Sequence, residues 1–219
     1  MKKFSKWCVE AKETAPPDRV VIIMRGLSGS GKSHTAKKML EIYGGGDPAD
    51  NIFSNDNYWI KDLLADRRRR ENLGVPIDQE AEDQIELATY RQNWTGKKLG
   101  DAQKWSFDKF KKAVDQWMTP LVVDNQNVLA RYMKNYVEYA EKAGYRVVIK
   151  EPESDWWRDN RHLLAANPPH QRDKDKLGKF AEFLASNNAH GVPKDVIFRN
   201  LQKWQHDLSA DDIMGRKTS

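Results

Sequence analysis

The sequence predicts an α/β protein, a parallel sheet of four to five strands with helices on both faces. Three observations point there. Strand segments read at 20–24, 51–54, 121–123 and 146–149, the first an apolar run with β-branched residues. Helices read between them at about 32–43, 78–92, 106–118 and 128–143, the first with apolar residues at helical spacing. A glycine-rich turn, Gly26-Leu-Ser-Gly-Ser-Gly31-Lys32-Ser33, joins the first strand to the first helix. Alternation of strand and helix makes parallel crossovers, and a sheet covered on both faces collects its ligands at the carboxyl ends of its strands.

Each element has its own reason. Val20-Val-Ile-Ile-Met24 is uniformly apolar, as a strand buried on both faces must be. Ala36, Met39, Leu40 and Tyr43 form one helical stripe, and Gly44-Gly45-Gly46 ends it. Asn51-Ile-Phe-Ser54 is a second strand. The stretch 60–104 is long and polar for a single connection. It holds Arg67-Arg-Arg-Arg70, an acidic helix from Asp78 to Glu86, then Trp94, Lys97, Lys98 and Trp105. It reads as a partly helical insertion facing the substrate, although the arginine run is equally consistent with a solvated helix face. Leu121-Val-Val123 is the third strand. Gly144 caps the helix before Arg146-Val-Val-Ile149, the fourth. Residues 151–208 are helical, broken at Pro168-Pro169 and at Gly191-Val-Pro193. The organisation is a polar lead-in at 1–19 and one domain at 20–208. Within that domain lie the insertion at about 60–104 and a helical lid at about 152–193, and residues 209–219 form a flexible tail.

Composition narrows the class. The chain has 219 residues, 39% hydrophobic and 32% charged, and no apolar run long enough to span a membrane. The first residues lack the apolar core of a signal peptide. Cys8 is the single cysteine, which excludes an internal disulfide framework and fits a reducing, cytoplasmic compartment, where no disulfide-linked partner is expected. The net charge of +5 and pI of about 9.1 favour a polyanionic partner such as nucleic acid. Eight tryptophans add stacking surface if some are exposed, although most are expected in the core.

The glycine turn fits G-x-x-x-x-G-K-[ST], the phosphate-binding P-loop. Its glycines let backbone N–H groups curl round phosphate oxygens, and the following helix directs its positive end at them. The expected ATP contacts are Gly26, Ser28, Gly29, Ser30, Gly31, Lys32, Ser33 and His34. Lys32 brings charge to the β/γ-phosphates, and the Ser33 hydroxyl holds Mg²⁺. Asp56 follows the second strand, where a carboxylate overlooks the γ-phosphate and can take the proton of an attacking hydroxyl. Its alternative role is a helix N-cap. Asp124 ends the third strand, the usual place for a carboxylate bonded to the loop serine or to a magnesium water. Asn125-Gln-Asn127 offers amides to the same crevice, with Asn127 as a substrate contact.

These residues carry a resemblance. Together with Phe107-Asp108, Tyr139–Val148, Glu151-Pro152 with Trp156, and His190-Gly-Val-Pro193, they resemble the polynucleotide 5′-kinase-like P-loop phosphotransferases. The likeness runs over most of 20–208 except 60–104 and part of 168–186. It implies a P-loop NTPase kinase fold and Mg²⁺-dependent transfer of the ATP γ-phosphate to a 5′-hydroxyl of RNA or DNA. By position, Lys32 and Ser33 bind phosphate and metal, and Asp56 is the general base. Two positions depart from the pattern. Trp59 stands where the resemblance implies an arginine that grips the substrate phosphate, and a tryptophan there suits a site that stacks a base. The lid arginine is absent from Leu163–Asn167 and from Leu184–Asn188. Phosphoryl transfer still needs a cation against the transition-state charge. Arg172 and Arg161 are the expected replacements, Arg172 for its reach beyond the proline break. Arg67 and Arg68 join Trp59 as expected substrate contacts.

Three functions fit. The leading one is an ATP-dependent kinase acting on a nucleic-acid hydroxyl, either a 5′-OH end or a modified base. The second is a small-molecule kinase of the same fold for a sugar, antibiotic or nucleotide sugar. The third is an ATP-binding adaptor with weak catalysis.

Overall fold

A computed structural model describes residues 18–166 and 168–216. Four parallel strands, Val20–Met24 (β1), Ile52–Phe53 (β2), Leu121–Asp124 (β3) and Arg146–Lys150 (β4), form one sheet in the order β2-β3-β1-β4. The helices in chain order are Lys32–Ile42 (α1), Pro48–Asn51 (α2), Lys61–Asn72 (α3), Gln79–Asn93 (α4), Leu99–Asp115 (α5), Ala130–Lys142 (α6), Asp155–Asn160 (α7), Lys174–Ser186 (α8), Lys194–Lys203 (α9) and Ala210–Met214 (α10). The expected α/β class and parallel sheet are what the chain adopts.

Strand β1 lies in the middle, with Ile22 opposite Val122 on one side and Val148 on the other. All five of its residues are buried. Side chains alternate between faces, so each face has its own core. Val21, Ile23 and Val123 pack with Phe110 of α5, Met133 and Val137 of α6 and Ile213 of α10. Val20, Ile22 and Val122 pack with Ala36, Met39 and Leu40 of α1. A third core joins α7, α8 and α9 through Trp157, Leu184, Leu201 and Trp204 to Leu27 and Val128, beside the carboxyl end of the sheet. A fourth, smaller one holds Trp59, Ile60, Tyr90 and Ala102 and fixes the insertion to the turn after β2. Each buried aliphatic or aromatic side chain contributes about 1.5–3 kcal/mol.

Caps mark the helix starts. The Asp78 carboxylate accepts from the N–H groups of Glu80 and Ala81 at α4, and Asp173 does the same for Asp175 and Lys176 at α8. Ser209 and Asp212 form a reciprocal capping box at α10.

Two boundaries differ from expectation. Residues 209–216 are not a loose tail, because α10 seats Ile213 against α6 and β4. Helix α5 starts at Leu99, so the last part of the expected insertion is the first turns of a core helix. Cys8, most of the 1–19 lead-in and residues 217–219 lie outside the described residues. No helix among the described residues is long and apolar enough to cross a membrane.

Candidate active site

The carboxyl ends of β1, β2 and β3 open into a cleft of about 990 Å³. Its floor is the glycine loop. Gly29 has φ +80° and a Cβ there would meet the Leu184 carbonyl oxygen at 2.0 Å. Gly31 has φ +83° and opens α1. Both positions therefore require glycine. Residues after β4 brace the loop from behind. Ser154 Oγ donates to the Ser30 carbonyl at 2.8 Å, and the Trp156 indole N–H to the Gly29 carbonyl at 3.1 Å. Turning carbonyls outward leaves the N–H groups facing in. Among the described residues, those of Gly29, Gly31, Lys32 and Ser33 donate to no protein acceptor. Ser30 Oγ is buried without a partner. A cradle of free donors at a helix N-terminus fits phosphate oxygens.

Lys32 and Asp124 meet inside the cleft, Nζ to Oδ1 at 2.5 Å, and both side chains are nearly buried. Ser33 and His34 line the same space. Ser33 and Asp124 offer oxygen donors of the kind Mg²⁺ takes.

Asp56 starts the 3-10 turn Asp56–Ile60. Its carboxylate is not a cap: the preceding residue holds the cap position, and Oδ1 accepts from the Tyr90 hydroxyl at 3.2 Å. Oδ2 faces His190 Nε2 at 3.9 Å, and the His190 ring lies 4.3 Å from that of Tyr90. Burial, with the Asp56 charge adding to it, raises the Tyr90 pKa, so the phenol stays a donor. Asn55 N–H donates to Asn125 Oδ1 at 2.9 Å, tying the end of β2 to the end of β3.

Gln126 bridges the walls, donating to Ser28 Oγ and accepting from Asn200, each at 3.1 Å. Below it, Arg25 donates to the Asn127 carbonyl at 3.1 Å and the Gln205 carbonyl at 2.6 Å and packs on the Trp204 ring. Burial lowers its pKa to about 10, and Glu151 opposes that fall.

Several expected site residues lie elsewhere. Arg172 is 5% exposed and donates to the carbonyls of Leu201 at 2.7 Å and Trp204 at 2.6 Å. It binds the end of α9 and does not line the cleft, because those carbonyls hold the guanidinium. Arg161 pairs with Glu151 at 3.0 Å and Asp207 at 2.9 Å, away from the cleft. Trp59 is 4% exposed in the fourth core and presents no face to stack on. Asn127 lines the cleft but is 4% exposed, and its amide donates to the Met24 carbonyl at 2.7 Å, a bond that shapes the loop. Arg67 is taken by Glu71 and Glu86, and Arg68 by Asp50. The arginine run is therefore a helix face neutralised by carboxylates. The cations that do line the cleft beside Lys32 are Arg91, Lys104 and Arg131. Arg91 donates to the Ala189 carbonyl at 3.1 Å, next to Asn187 and Asn188 in the segment that lacks a lid arginine of its own.

Arg172→Ala is expected to lower stability by about 3 kcal/mol, since it removes charge-assisted bonds and leaves helix-end carbonyls unpaired. The rate per folded molecule should not change. Thermal unfolding alongside an active-fraction-corrected rate checks both halves.

Tyr90, His190, Arg91 and Arg131 are site residues that sequence reasoning passed over. His190 stood in the motif His190-Gly-Val-Pro193 without a role. Tyr90 is 34 residues from Asp56 and carried no local signal.

A family model described as an AAA domain matches residues 21–162. The chain belongs to that family. This AAA domain is of the P-loop kinase-like kind, a nucleotide-binding, phosphotransferase-like unit. Human NEDD4-binding protein 2 is 28% identical over 206 residues, which covers 94% of this chain and 9% of that protein. YLP motif-containing protein 1 is 25% identical in Rattus norvegicus and 28% in Homo sapiens over 204 residues, 90% of this chain. The chain spans 13% and 8% of those two proteins, so it corresponds to a small part of each relative.

Proposed function

We propose that this AAA domain is an ATP-dependent kinase that transfers the γ-phosphate to a hydroxyl of a nucleic acid, as polynucleotide 5′-kinases do. The observation that carries the reading is Asp56, a half-exposed carboxylate held by Tyr90 in the same cleft as Lys32 and the free loop amides. A nucleotide-binding domain that only senses its ligand has no need of a fixed base beside the phosphate cradle. The acceptor hydroxyl gives its proton to Asp56 as its oxygen bonds to the γ-phosphorus. The bond from that phosphorus to the bridging oxygen breaks, and ADP carries the electron pair away. Lys32 is drawn from Asp124 toward the phosphates. Magnesium, when bound, supplies positive charge among the phosphate oxygens, and Ser33 and Asp124 are the residues that would hold it.

The nucleic-acid half of the reading rests on the cleft's rim. Arg91, Lys104 and Arg131 line it, and so do Trp94 and Tyr132, 51% and 49% exposed. Cations interleaved with exposed rings suit phosphates and unstacked bases. Trp94 takes the stacking role that Trp59 cannot.

The experiment is transfer of labelled γ-phosphate to 5′-OH RNA, 5′-OH DNA and hydroxymethylated duplex DNA in one series. A polymer acceptor should show a KM that rises steeply with salt. Transfer to small sugars with a salt-insensitive KM would replace this reading by a small-molecule kinase. ATP binding without transfer to any acceptor would replace it by an adaptor.

A further inference from the structure

Phosphoryl transfer spreads charge over the equatorial oxygens of the moving group, and a cation from outside the glycine loop must meet it. The lid segment Leu184–Asn188 carries no arginine. Its backbone nevertheless crosses the place where one is needed. At one end the Leu184 carbonyl abuts Gly29, where a Cβ would come within 2.0 Å of its oxygen. Just past the other end, the His190 ring lies 4.3 Å from that of Tyr90, and its Nε2 lies 3.9 Å from Asp56. The segment therefore runs from the phosphate cradle to Asp56. Asn188 fixes its course, donating to the carbonyls of Ala185 at 2.8 Å and Val192 at 3.2 Å and accepting from the Val192 N–H at 2.7 Å.

Ala189 lies on that span, and its carbonyl accepts from Arg91 Nη2 at 3.1 Å. Arg91 follows Tyr90 on α4, so one helix reaches both Asp56 and the span. The three cations at the rim of the cleft are not equivalent. Lys104 is held by Asp108, and the Arg131 guanidinium lies 5.2 Å over the ring of its neighbour Tyr132. Among the described residues, Arg91 meets no carboxylate and no acceptor besides Ala189. One of its five N–H donors is spent, and the rest of the planar fork is left for an oxyanion.

We propose that Arg91 supplies the transition-state cation that the lid lacks, so that the insertion is part of the active centre. The inference rests on the kinase reading above. The Ala189 carbonyl aims the guanidinium, and its remaining donors meet the γ-phosphoryl oxygens as the acceptor attacks. Arg91 stays protonated throughout. The acceptor's proton goes to Asp56, and the electron pair of the broken bond goes to ADP.

Arg91→Ala should lower kcat about 1,000-fold, the low end of what an arginine finger supplies, and leave the KM for ATP nearly unchanged. Arg91→Gln keeps a donor for the Ala189 carbonyl without the charge, and it should be as slow. Guanidinium ion added to Arg91→Ala should raise its rate at concentrations that leave the wild type unaffected. Binding of ADP with aluminium fluoride, a mimic of the transferring group, reads the same charge with no acceptor present. Wild-type protein should bind that pair at least about a hundredfold more tightly than ADP alone, and Arg91→Ala should lose most of the difference. Arg91→Gln at the wild-type rate, or Arg91→Ala within about tenfold of it, overturns the proposal, because Arg91 then only ties the lid to α4. A wild type that transfers phosphate to no acceptor ends the kinase reading, and Arg91 then stands or falls on the aluminium fluoride comparison.

Discussion

Lys32→Ala is expected to abolish phosphoryl transfer and also to destabilise the fold. The first effect follows from chemistry: Lys32 is the cation at the floor of the cleft, beside loop amides that have no protein acceptor. Removing a charge aimed at the transferring phosphate leaves the transition state unscreened. The second effect follows from packing. Lys32 reads as solvent-facing in the sequence, yet its ammonium is paired with Asp124, and the two side chains are 11% and 7% exposed. Truncation leaves a nearly buried carboxylate alone. A fully enclosed pair broken this way loses about 3–5 kcal/mol. The cleft admits water, so about 1–3 kcal/mol is the better figure, which lowers the melting temperature by about 2–12 °C in a chain of this size. The double variant Lys32→Ala, Asp124→Asn should recover most of that stability and none of the activity. Residual transfer above about a tenth of the wild-type rate, less than about 1.4 kcal/mol of barrier, would remove Lys32 from the transition state.

What could be read in the sequence was local. The run Val20–Met24, the glycine turn and α1 form a contiguous unit whose chemistry depends on neighbours along the chain. Asp56 and Asp124 were legible because each directly follows a strand, and strand ends in a parallel sheet converge. The lid arginine was not. Arg172 looked free because it follows Pro168-Pro169, but its partners are the carbonyls of Leu201 and Trp204, about thirty residues on. Trp59 and Trp94 differ in the same way. Both are tryptophans in a polar stretch, and only the packing of α4 against the turn after β2 buries one and leaves the other in the cleft. The arginine run admitted two readings in the sequence, and its partners Asp50, Glu82 and Glu86 on other elements favour the helix face: a basic string became a neutral one.

Asp56→Asn should lower kcat on the order of 100-fold, the size of a general-base contribution, with ATP affinity nearly unchanged. The substitution keeps shape and keeps an oxygen to accept from Tyr90, so the turn at Asp56–Ile60 should hold. What disappears is the basic oxygen that takes the acceptor's proton. Neither loop amides nor Lys32 contact Asp56, so nucleotide binding has no reason to change. Tyr90→Phe tests the same carboxylate through its support. That variant keeps the Asp56 carboxyl but removes one bond that holds it, and the expected loss is within about tenfold, in kcat and not in the KM for ATP. The pair of variants also separates roles. If Asp56→Asn lost ATP binding in step with rate, Asp56 would be a metal or structural ligand. If Tyr90→Phe cost as much as Asp56→Asn, the phenol would be in contact with the reacting atoms and not merely holding the base. His190, 3.9 Å from the second carboxylate oxygen, stays in place in both variants. The difference between them therefore separates the carboxylate's own part from that of the phenol that holds it.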